Sequence, residues 1–152
     1  MKTKHLPLLL SVCVFAVMSI ALGGERAGTP EIPKANLTGA SVYPVSAVVD
    51  GDTITVTDDL GPLKIRLIGV DTPETVHPSK PVQHYGKEAS NFLKNLLKGE
   101  KVYLLYEGKD PTKDKYGRRL AYVYRHPDGL FVNAEIIRQG YGHANTVFPF
   151  KY

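Results

Sequence analysis

Three short β-rich segments, joined by tight turns, constrain the fold of this sequence most strongly. They cover residues 42–49, 52–57 and 63–70, and valine, isoleucine and threonine recur in them. Residues 58–62 (Asp-Asp-Leu-Gly-Pro) have the composition of a turn between the second and third segments. Short alternating segments separated by glycine, proline and aspartate are typical of consecutive β-strands. The sequence therefore predicts a three-stranded meander here.

The hydrophobic period then changes to that of a helix over residues 85–98. The apolar residues on its stripe are Ala89, Phe92, Leu93, Leu96 and Leu97. Gly99 follows at the position where a helix C-terminal cap is expected. Further along, the pattern predicts two more strands over residues 101–106 and 120–125, and a short helix over residues 132–139.

Five strands with a helix between the third and the fourth predict an α+β, mainly β, fold. We expect a five-stranded barrel of the OB type with two helices. Barrels of this type bind oligonucleotides or oligosaccharides on one face. The fold alone does not identify the function, which must be argued from particular side chains.

The N-terminal region has the features of an export signal. Lys2 and Lys4 precede an apolar run over residues 8–22, and small residues near Gly23 suit cleavage there. An uncleaved membrane anchor is the alternative, but the run is shorter than the roughly 20 residues that a spanning helix needs. We therefore expect an exported protein, secreted or periplasmic, without stable membrane association beyond the signal.

Cleavage near Gly23 divides the chain into a signal peptide, a flexible leader and one barrel domain, over residues 1–23, 24–40 and 41–152. The only cysteine, Cys13, lies in the signal, so we expect a domain without disulfides that its core alone stabilises. Removing Lys2 and Lys4 leaves 17 of the 19 basic residues against 15 acidic ones, a net charge of +2. This mild charge does not by itself indicate a nucleic-acid partner.

Two acidic motifs offer hard oxygen ligands. Asp50-Gly51-Asp52 resembles an ordinary turn when taken alone, whereas the run Asp71-Thr72-Pro73-Glu74 directly follows an apolar strand. Pro73 favours an extended Thr72, which holds the Thr72 carbonyl in a defined direction. Carboxylates of Asp52 and Asp71 with that carbonyl suit Ca²⁺ or Mg²⁺. Because these ligands are few, we expect a weak site that water and substrate complete.

Two arginines are candidates for binding phosphate. Arg66 lies in the third predicted strand, and Arg118 lies in a basic stretch that also contains Lys109, Lys113, Lys115 and Arg119. The guanidinium group matches phosphate oxygens in pairs and stays charged at any working pH. Solvated strand and loop positions are the alternative for both residues.

A parity problem concerns Arg66 and Asp71. Five residues separate them, so on a straight strand their side chains would face opposite sides. Gly69 lies between them and can host a bulge or a sharp bend. We predict such an irregularity near Gly69, since it would allow both side chains to meet one phosphate.

These motifs together resemble the staphylococcal nuclease (thermonuclease) family over about residues 45–144. The resemblance rests on four segments in the family's order, which are Asp50-Gly51-Asp52-Thr53, residues 66–75, Asp114-Lys115-Tyr116-Gly117-Arg118, and Val132-Asn133 with Arg138-Gln139-Gly140. It implies an OB-barrel phosphodiesterase that hydrolyses single-stranded or loosened DNA and RNA with Ca²⁺. The implied products carry 5′-hydroxyl and 3′-phosphate ends.

The resemblance also implies roles for particular residues. Asp52, Asp71 and the Thr72 carbonyl correspond to calcium ligands, and Glu74 corresponds to the general base for the attacking water. The arginines correspond to the pair that binds phosphate, Arg66 and Arg118. Lys115 and Tyr116 match a substrate-contacting loop. No protein partner is implied, and a monomer is expected.

The chain departs from the family near its C-terminus. Two tyrosines that sandwich the base in the family correspond to Thr146 and Phe148 here, and only Phe148 can stack on a base. The chain stops at Tyr152, before the family's last helix, so we expect a C-terminally truncated domain of reduced stability. Competing hypotheses are a non-catalytic nucleic-acid-binding barrel, an oligosaccharide-binding barrel and an inactive truncated product.

Overall fold

The computed structural model describes residues 35–76, 81–108 and 110–145. The predicted signal peptide and most of the predicted leader lie outside these residues. Lys109, Thr146 and Phe148 lie outside them as well, so the expectations placed on these three side chains stay predictions.

Five strands close into one barrel, as the sequence predicted. They are β1 (Val42–Asp50), β2 (Thr53–Asp58), β3 (Gly61–Leu67), β5 (Lys101–Leu105) and β6 (Arg119–His126). Their order around the barrel is β1-β2-β3-β6-β5, and β5 pairs with β1 to close it. The β3–β6 pair is parallel, and the other four pairs are antiparallel.

Two helices and a small second sheet complete the described fold. The helices are α1 (Gly86–Leu97) and α2 (Val132–Arg138), and the second sheet pairs β4 (Val70–Asp71) with β7 (His143–Ala144). The mainly β fold with five barrel strands and two helices is therefore confirmed. The β4–β7 sheet was not predicted, because two-residue strands carry no periodic signal.

Inward-facing residues of alternating strands meet the apolar stripe of α1 in one core. Ile54, Ile65 and Leu93 are fully buried there, and the contacts of α1 and α2 with the barrel extend the same cluster. Burying each side chain of this size contributes about 1.5–3 kcal/mol. The core thus sets the position of both helices against the strands that carry the acidic motifs.

A buried amide joins three parts of the fold. Asn133, in the first turn of α2, is 2% exposed. Its Oδ1 accepts a hydrogen bond from the Val123 N–H at 2.9 Å, and its Nδ2 donates to the Ile68 carbonyl at 2.8 Å. Asn133 therefore ties α2 to β6 and to the corner between β3 and β4.

The bend that the sequence predicted near Gly69 is confirmed. Strand β3 ends at Leu67, a turn follows, and Gly69 adopts a φ of +71°, which glycine reaches without steric cost. The chain then enters β4, which leaves the barrel and pairs with β7. This turn reverses the parity of the strand and brings the Arg66 and Asp71 side chains to within 3.1 Å.

Two residues of the predicted leader, which spans residues 24–40, lie against the barrel. Ala35 and Leu37 pack against the cluster that contains Tyr122 and Tyr124, and the division of the chain into signal, leader and domain stays a prediction. Apolar side chains at these two positions cover rings that would otherwise face water.

None of the helices within the described residues is both long and apolar enough to cross a bilayer.

Candidate functional site

The loop between β1 and β2 supplies the first acidic group of the site. Asp52 is 6% exposed, and its Oδ2 accepts hydrogen bonds from the Thr72 N–H at 3.2 Å and the Thr72 hydroxyl at 3.1 Å. Its Oδ1 accepts one from the Thr53 hydroxyl at 2.9 Å. Gly51 permits this approach, since a Cβ there would lie 2.7 Å from Thr72 Oγ1. Two segments that are distant in sequence therefore meet at Asp52.

Arg66 lies between the two predicted carboxylate ligands. Its Nη1 is 2.5 Å from Asp52 Oδ2, and its Nη2 is 3.1 Å from Asp71 Oδ1. Burial raises the pKa of Asp52, and the positive charge of Arg66 opposes that shift. Only two of the five N–H donors of a guanidinium are needed for these two ion pairs. Arg66 therefore has further N–H groups that could donate hydrogen bonds to a phosphate.

Arg118 reaches the same corner from the start of β6. Its Nη1 donates to the Thr53 hydroxyl at 3.1 Å, and its Nε pairs with Asp114 Oδ2 at 2.6 Å. Asp114 also accepts hydrogen bonds from the Tyr116 and Arg118 N–H groups. The Tyr116 ring lies 5.2 Å from the Arg118 guanidinium and 5.1 Å from the Lys115 ammonium. The loop before β6 thus brings Arg118 to Thr53 and places the Tyr116 ring near both Arg118 and Lys115.

Glu74 is held by its main chain and by its carboxylate. Gln83 accepts a hydrogen bond from the Glu74 N–H at 2.8 Å and donates its own N–H to the Glu74 carbonyl at 2.9 Å. Glu74 Oε1 accepts the Val76 N–H at 2.9 Å. Gly86, at the start of α1, allows close packing here, because a Cβ would meet Thr75 Cγ2 at 2.7 Å. The N-terminal end of α1 therefore supports the loop that presents Glu74.

Asp50, the last residue of β1, contacts this loop with a second carboxyl, and the sequence interpretation gave it no role. It accepts hydrogen bonds from the Thr75 N–H at 3.2 Å and the Thr75 hydroxyl at 2.7 Å. Burial, followed by a hydrogen bond to Glu74, raises the pKa of Asp50. Burial opposes ionisation of Glu74 too, but the hydrogen bonds from Asp50 and Val76 outweigh it, and the pKa of Glu74 is lowered. The two carboxyls therefore affect each other, with the pKa of Asp50 raised and the pKa of Glu74 lowered.

His143 is another neighbour that the sequence interpretation missed. Strand β7 places it opposite Asp71, and its Nε2 lies 3.6 Å from Asp71 Oδ2. No local sequence motif indicates this contact, because it depends on the pairing of β4 with β7. Gln83, Thr53 and Asp114 were likewise missed, since each acts on a predicted site residue through a contact of the folded chain.

The donor set of this corner suits a hard divalent cation. Asp50, Asp52, Asp71 and Glu74 bring four carboxyl groups together, and Arg66 is the cation that pairs with two of them. Oxygen ligands with excess negative charge are what Ca²⁺ requires. Among the described residues, no three acidic, histidine or cysteine side chains converge on one ion position. Such a site would draw several ligands from water and substrate.

A cleft of about 900 Å³ adjoins the two arginines. Its apolar wall comes from Leu67, Ile68, Val70 and Leu120, and Arg66 and Arg118 lie at its edge. Lys115 and Tyr116, which were predicted to contact substrate, also line it. A cleft with an apolar wall and a cationic edge has the character of a site for a flat ring attached to a phosphate.

A closed barrel with clustered carboxylates and two guanidinium groups beside a cleft has the arrangement expected of a phosphodiester hydrolase. Comparison with known proteins identifies the family. A family model described as "Staphylococcal nuclease homologue" matches residues 64–151. The thermonuclease of Staphylococcus hyicus is 41% identical over 100% of this chain and 88% of its own length. This chain belongs to the staphylococcal nuclease family.

Two further relatives agree. The thermonuclease of Staphylococcus intermedius is 42% identical over 93% of this chain and 80% of its own length. Endonuclease YncB of Bacillus subtilis is 36% identical over 82% of this chain and 56% of its own length. The family resemblance inferred from the sequence motifs is therefore confirmed.

Proposed function

We propose that this chain is a Ca²⁺-dependent nuclease that hydrolyses single-stranded or locally opened DNA and RNA, leaving 5′-hydroxyl and 3′-phosphate ends. That the chain is a nuclease follows from its family; the metal, the substrates and the products are the proposal. The observation that carries it is that Arg66 and Arg118 line one cleft while Arg66 pairs with the carboxylates of Asp52 and Asp71. A phosphodiester placed there would meet both guanidinium groups.

The proposed reaction is attack of water on phosphorus. The water oxygen bonds to phosphorus, the bond from phosphorus to the 5′ oxygen breaks, and that oxygen takes a proton and leaves as a hydroxyl. The phosphate stays on the 3′ carbon. Negative charge grows on the non-bridging oxygens during this step, and the N–H donors of Arg66 and Arg118 stabilise it.

Glu74 is proposed to orient the water and accept its proton. The lowered pKa of Glu74 keeps its carboxyl ionised at neutral pH, so the carboxylate can accept a proton from the water. The same low pKa makes it a weak base. General-base catalysis contributes about 10²–10⁴-fold, so stabilisation of phosphate charge by the arginines must supply much of the remaining rate.

Asp52, Asp71 and the Thr72 carbonyl are the groups proposed to hold Ca²⁺. A bound divalent cation would polarise the phosphate oxygen and favour ionisation of the water. The contacts of Thr72 with Asp52 support this set, because they keep the two ligand-bearing segments together. The small number of protein ligands predicts a dissociation constant of about 10⁻⁴–10⁻³ M.

Calcium binding should be visible in thermal unfolding. At about ten times its dissociation constant, Ca²⁺ should stabilise the domain by about 1.4 kcal/mol and raise Tm by roughly 4–8 °C. Asp52→Asn and Asp71→Asn should abolish the shift, whereas Asp59→Asn, in the exposed β2–β3 turn, should retain it. An unchanged Ca²⁺ shift in the Asp52 and Asp71 variants would contradict the assigned ligands.

Hydrolysis tests the function itself. Purified protein is incubated with single-stranded DNA or RNA, with Ca²⁺ or a chelator, and the ends of the products are analysed. We expect cleavage only with Ca²⁺ and 3′-phosphate ends on the fragments. Binding without cleavage would identify a non-catalytic barrel, and a chain that neither binds nor melts cooperatively would identify an inactive product.

Gln83 should matter for rate, because its side-chain Oε1 accepts the Glu74 N–H, a hydrogen bond that alanine removes while the bond from the Gln83 N–H to the Glu74 carbonyl stays. Gln83→Ala should lower kcat about tenfold with little change in KM, since small misplacements of a reacting group have effects of this size or larger. Gln83→Glu keeps an acceptor and should retain most of the activity. Gln139→Ala, an exposed glutamine beyond α2, is the control. Steady-state kinetics on one oligonucleotide would decide, and equal kcat in both alanine variants would refute the role.

The location and the assembly of the protein are part of the proposal. The basic start and apolar run of residues 1–23 support export with cleavage near Gly23, to the periplasm or the medium. We propose that the exported domain acts as a monomer. Cell fractionation with mass determination of the N-terminus tests the first statement, and sedimentation of the purified protein tests the second.

A further inference from the structure

One further cation lies on the same face of the barrel as Arg66. Along β3, Ile65 and Leu67 are buried in the core, Arg66 is partly exposed and Lys64 is exposed. Side chains alternate along a strand, so Lys64 and Arg66 share the outer face and lie roughly 7 Å apart along it. This outer face of β2 and β3 therefore continues from the candidate site past Lys64.

The strand register places all three cations of this region. Arg66 pairs with Thr53, and Lys64 pairs with Thr55. Arg118 precedes β6, whose first residue pairs with Ile65, and its side chain crosses β3 to reach the Thr53 hydroxyl at 3.1 Å. Arg118 thus reaches the residue that pairs with Arg66.

Lys64 differs from the two arginines in its charge partners. Arg66 pairs with Asp52 and Asp71, and Arg118 pairs with Asp114. Within the part of the chain that the structure describes, Lys64 forms no ion pair with a carboxylate. Its cross-strand neighbour is the polar residue Thr55. The positive charge of Lys64 is therefore available to an anion from outside the protein.

The cleft lies toward the other end of β3. Its wall uses Leu67 and the residues that follow, through Val70, whereas Lys64 is not part of it. A nucleotide in the cleft with its phosphate at Arg66 and Arg118 would have a neighbour on the opposite side. That neighbour must cross the outer face of β3 in the direction of Lys64.

We propose that Lys64 binds the backbone phosphate next to the one that is cut, on the side away from the cleft. This inference rests on the proposed function and adds a second phosphate subsite to it. Phosphates repeat about every 3.4 Å along a stacked strand and further apart in a stretched one. An ammonium on a flexible stem, roughly 7 Å from Arg66, covers that spacing.

A structural role for Lys64 is the alternative that the experiment must separate. Strand β6 pairs with β3 only at residues 65–67, so the first half of β3 has a less protected edge there. Charged side chains at such edges hinder pairing with other chains. This role would show in aggregation and stability, and it would leave nucleic-acid affinity and its salt dependence unchanged.

Binding is measured first, in the presence of a chelator so that no hydrolysis occurs. The probe is a short fluorescent oligothymidylate, and the proteins are wild type, Lys64→Ala, Lys64→Arg and the control Lys94→Ala, an exposed lysine of α1. Lys64→Ala should weaken binding roughly three- to tenfold and make the slope of log Kd against log salt shallower by about 0.7, the contribution of one single-strand phosphate contact. Lys64→Arg and Lys94→Ala should behave like wild type.

Hydrolysis of oligonucleotides of increasing length locates the contact. Wild-type kcat/KM should rise at the length that adds the second phosphate, and Lys64→Ala should lose this step while keeping wild-type kcat/KM on a dinucleotide. Equal affinity and equal salt slopes in wild type and Lys64→Ala would overturn the proposal, as would an unchanged length step. Lys64-dependent binding without any hydrolysis would refute the proposed function and leave the phosphate contact standing.

Discussion

Arg118→Ala should lower kcat by roughly 10²–10³-fold, the effect of removing one donor that stabilises transition-state charge. The Arg118 guanidinium lies at the edge of the cleft, directed at Thr53, and Asp114 fixes its Nε. Its other donors are therefore held in a defined direction before any phosphate arrives. Lysine keeps the charge but loses the planar fork, so Arg118→Lys should recover only part of the rate.

The stability of the Arg118→Ala variant should change little. The Arg118 side chain is 25% exposed and its ion pair with Asp114 is partly solvated. Pairs of this kind contribute about 0–1 kcal/mol. Arg138→Ala is a matched control, because it removes an exposed ion pair of α2 with Glu135, far along the chain from the catalytic motifs. Steady-state kinetics and melting curves on the three proteins decide, and wild-type kcat in Arg118→Ala would refute the assignment.

Asn133→Ala should be the most destabilising single change considered. It leaves the Val123 N–H and the Ile68 carbonyl buried without their partner. Each unsatisfied group costs about 1–3 kcal/mol, so the free energy of unfolding should fall by roughly 3–5 kcal/mol. That is a large share of the 5–15 kcal/mol typical of a whole domain.

Urea denaturation measures this loss. Asn95→Ala is the control, since Asn95 is exposed on α1 and alanine there favours the helix. A loss below about 1 kcal/mol for Asn133→Ala would show that water or a shift of α2 replaces both hydrogen bonds.

Local pattern was enough to predict the five barrel strands, both helices and the nuclease class. Periods of two and 3.6 identify the barrel strands and both helices within one or two residues, because they reflect which face of each element is buried. The exception is the third strand, which was predicted to reach residue 70 but ends at Leu67, where the turn at Gly69 begins. The acidic run after β3 and the two arginines predicted phosphate and metal chemistry, which stays a proposal. The bend at Gly69 could also be predicted. Arg66 and Asp71 can face the same side only if the strand is irregular between them, and glycine adopts the backbone conformation that the bend requires.

Only the tertiary structure decided how these residues act on one another. The parallel β3–β6 pair brings Arg118 to Thr53, and β4 pairing with β7 brings His143 to Asp71. Gln83 and Asp50 reach the loop of Glu74 in the same way. These contacts join residues that are distant in sequence, and no local propensity encodes them.

One physical reason explains why the sequence determined some features of this protein and only the tertiary structure decided the others. A sequence records, residue by residue, how each segment prefers to bend and which face avoids water, and this determined the barrel, its helices and the candidate ligands. Barrel closure then sets which segments become neighbours, and with them the burial and charge around each side chain. The raised pKa of Asp50, the ion pairs of Arg66 and the pairing of Lys64 with Thr55 are consequences of that closure.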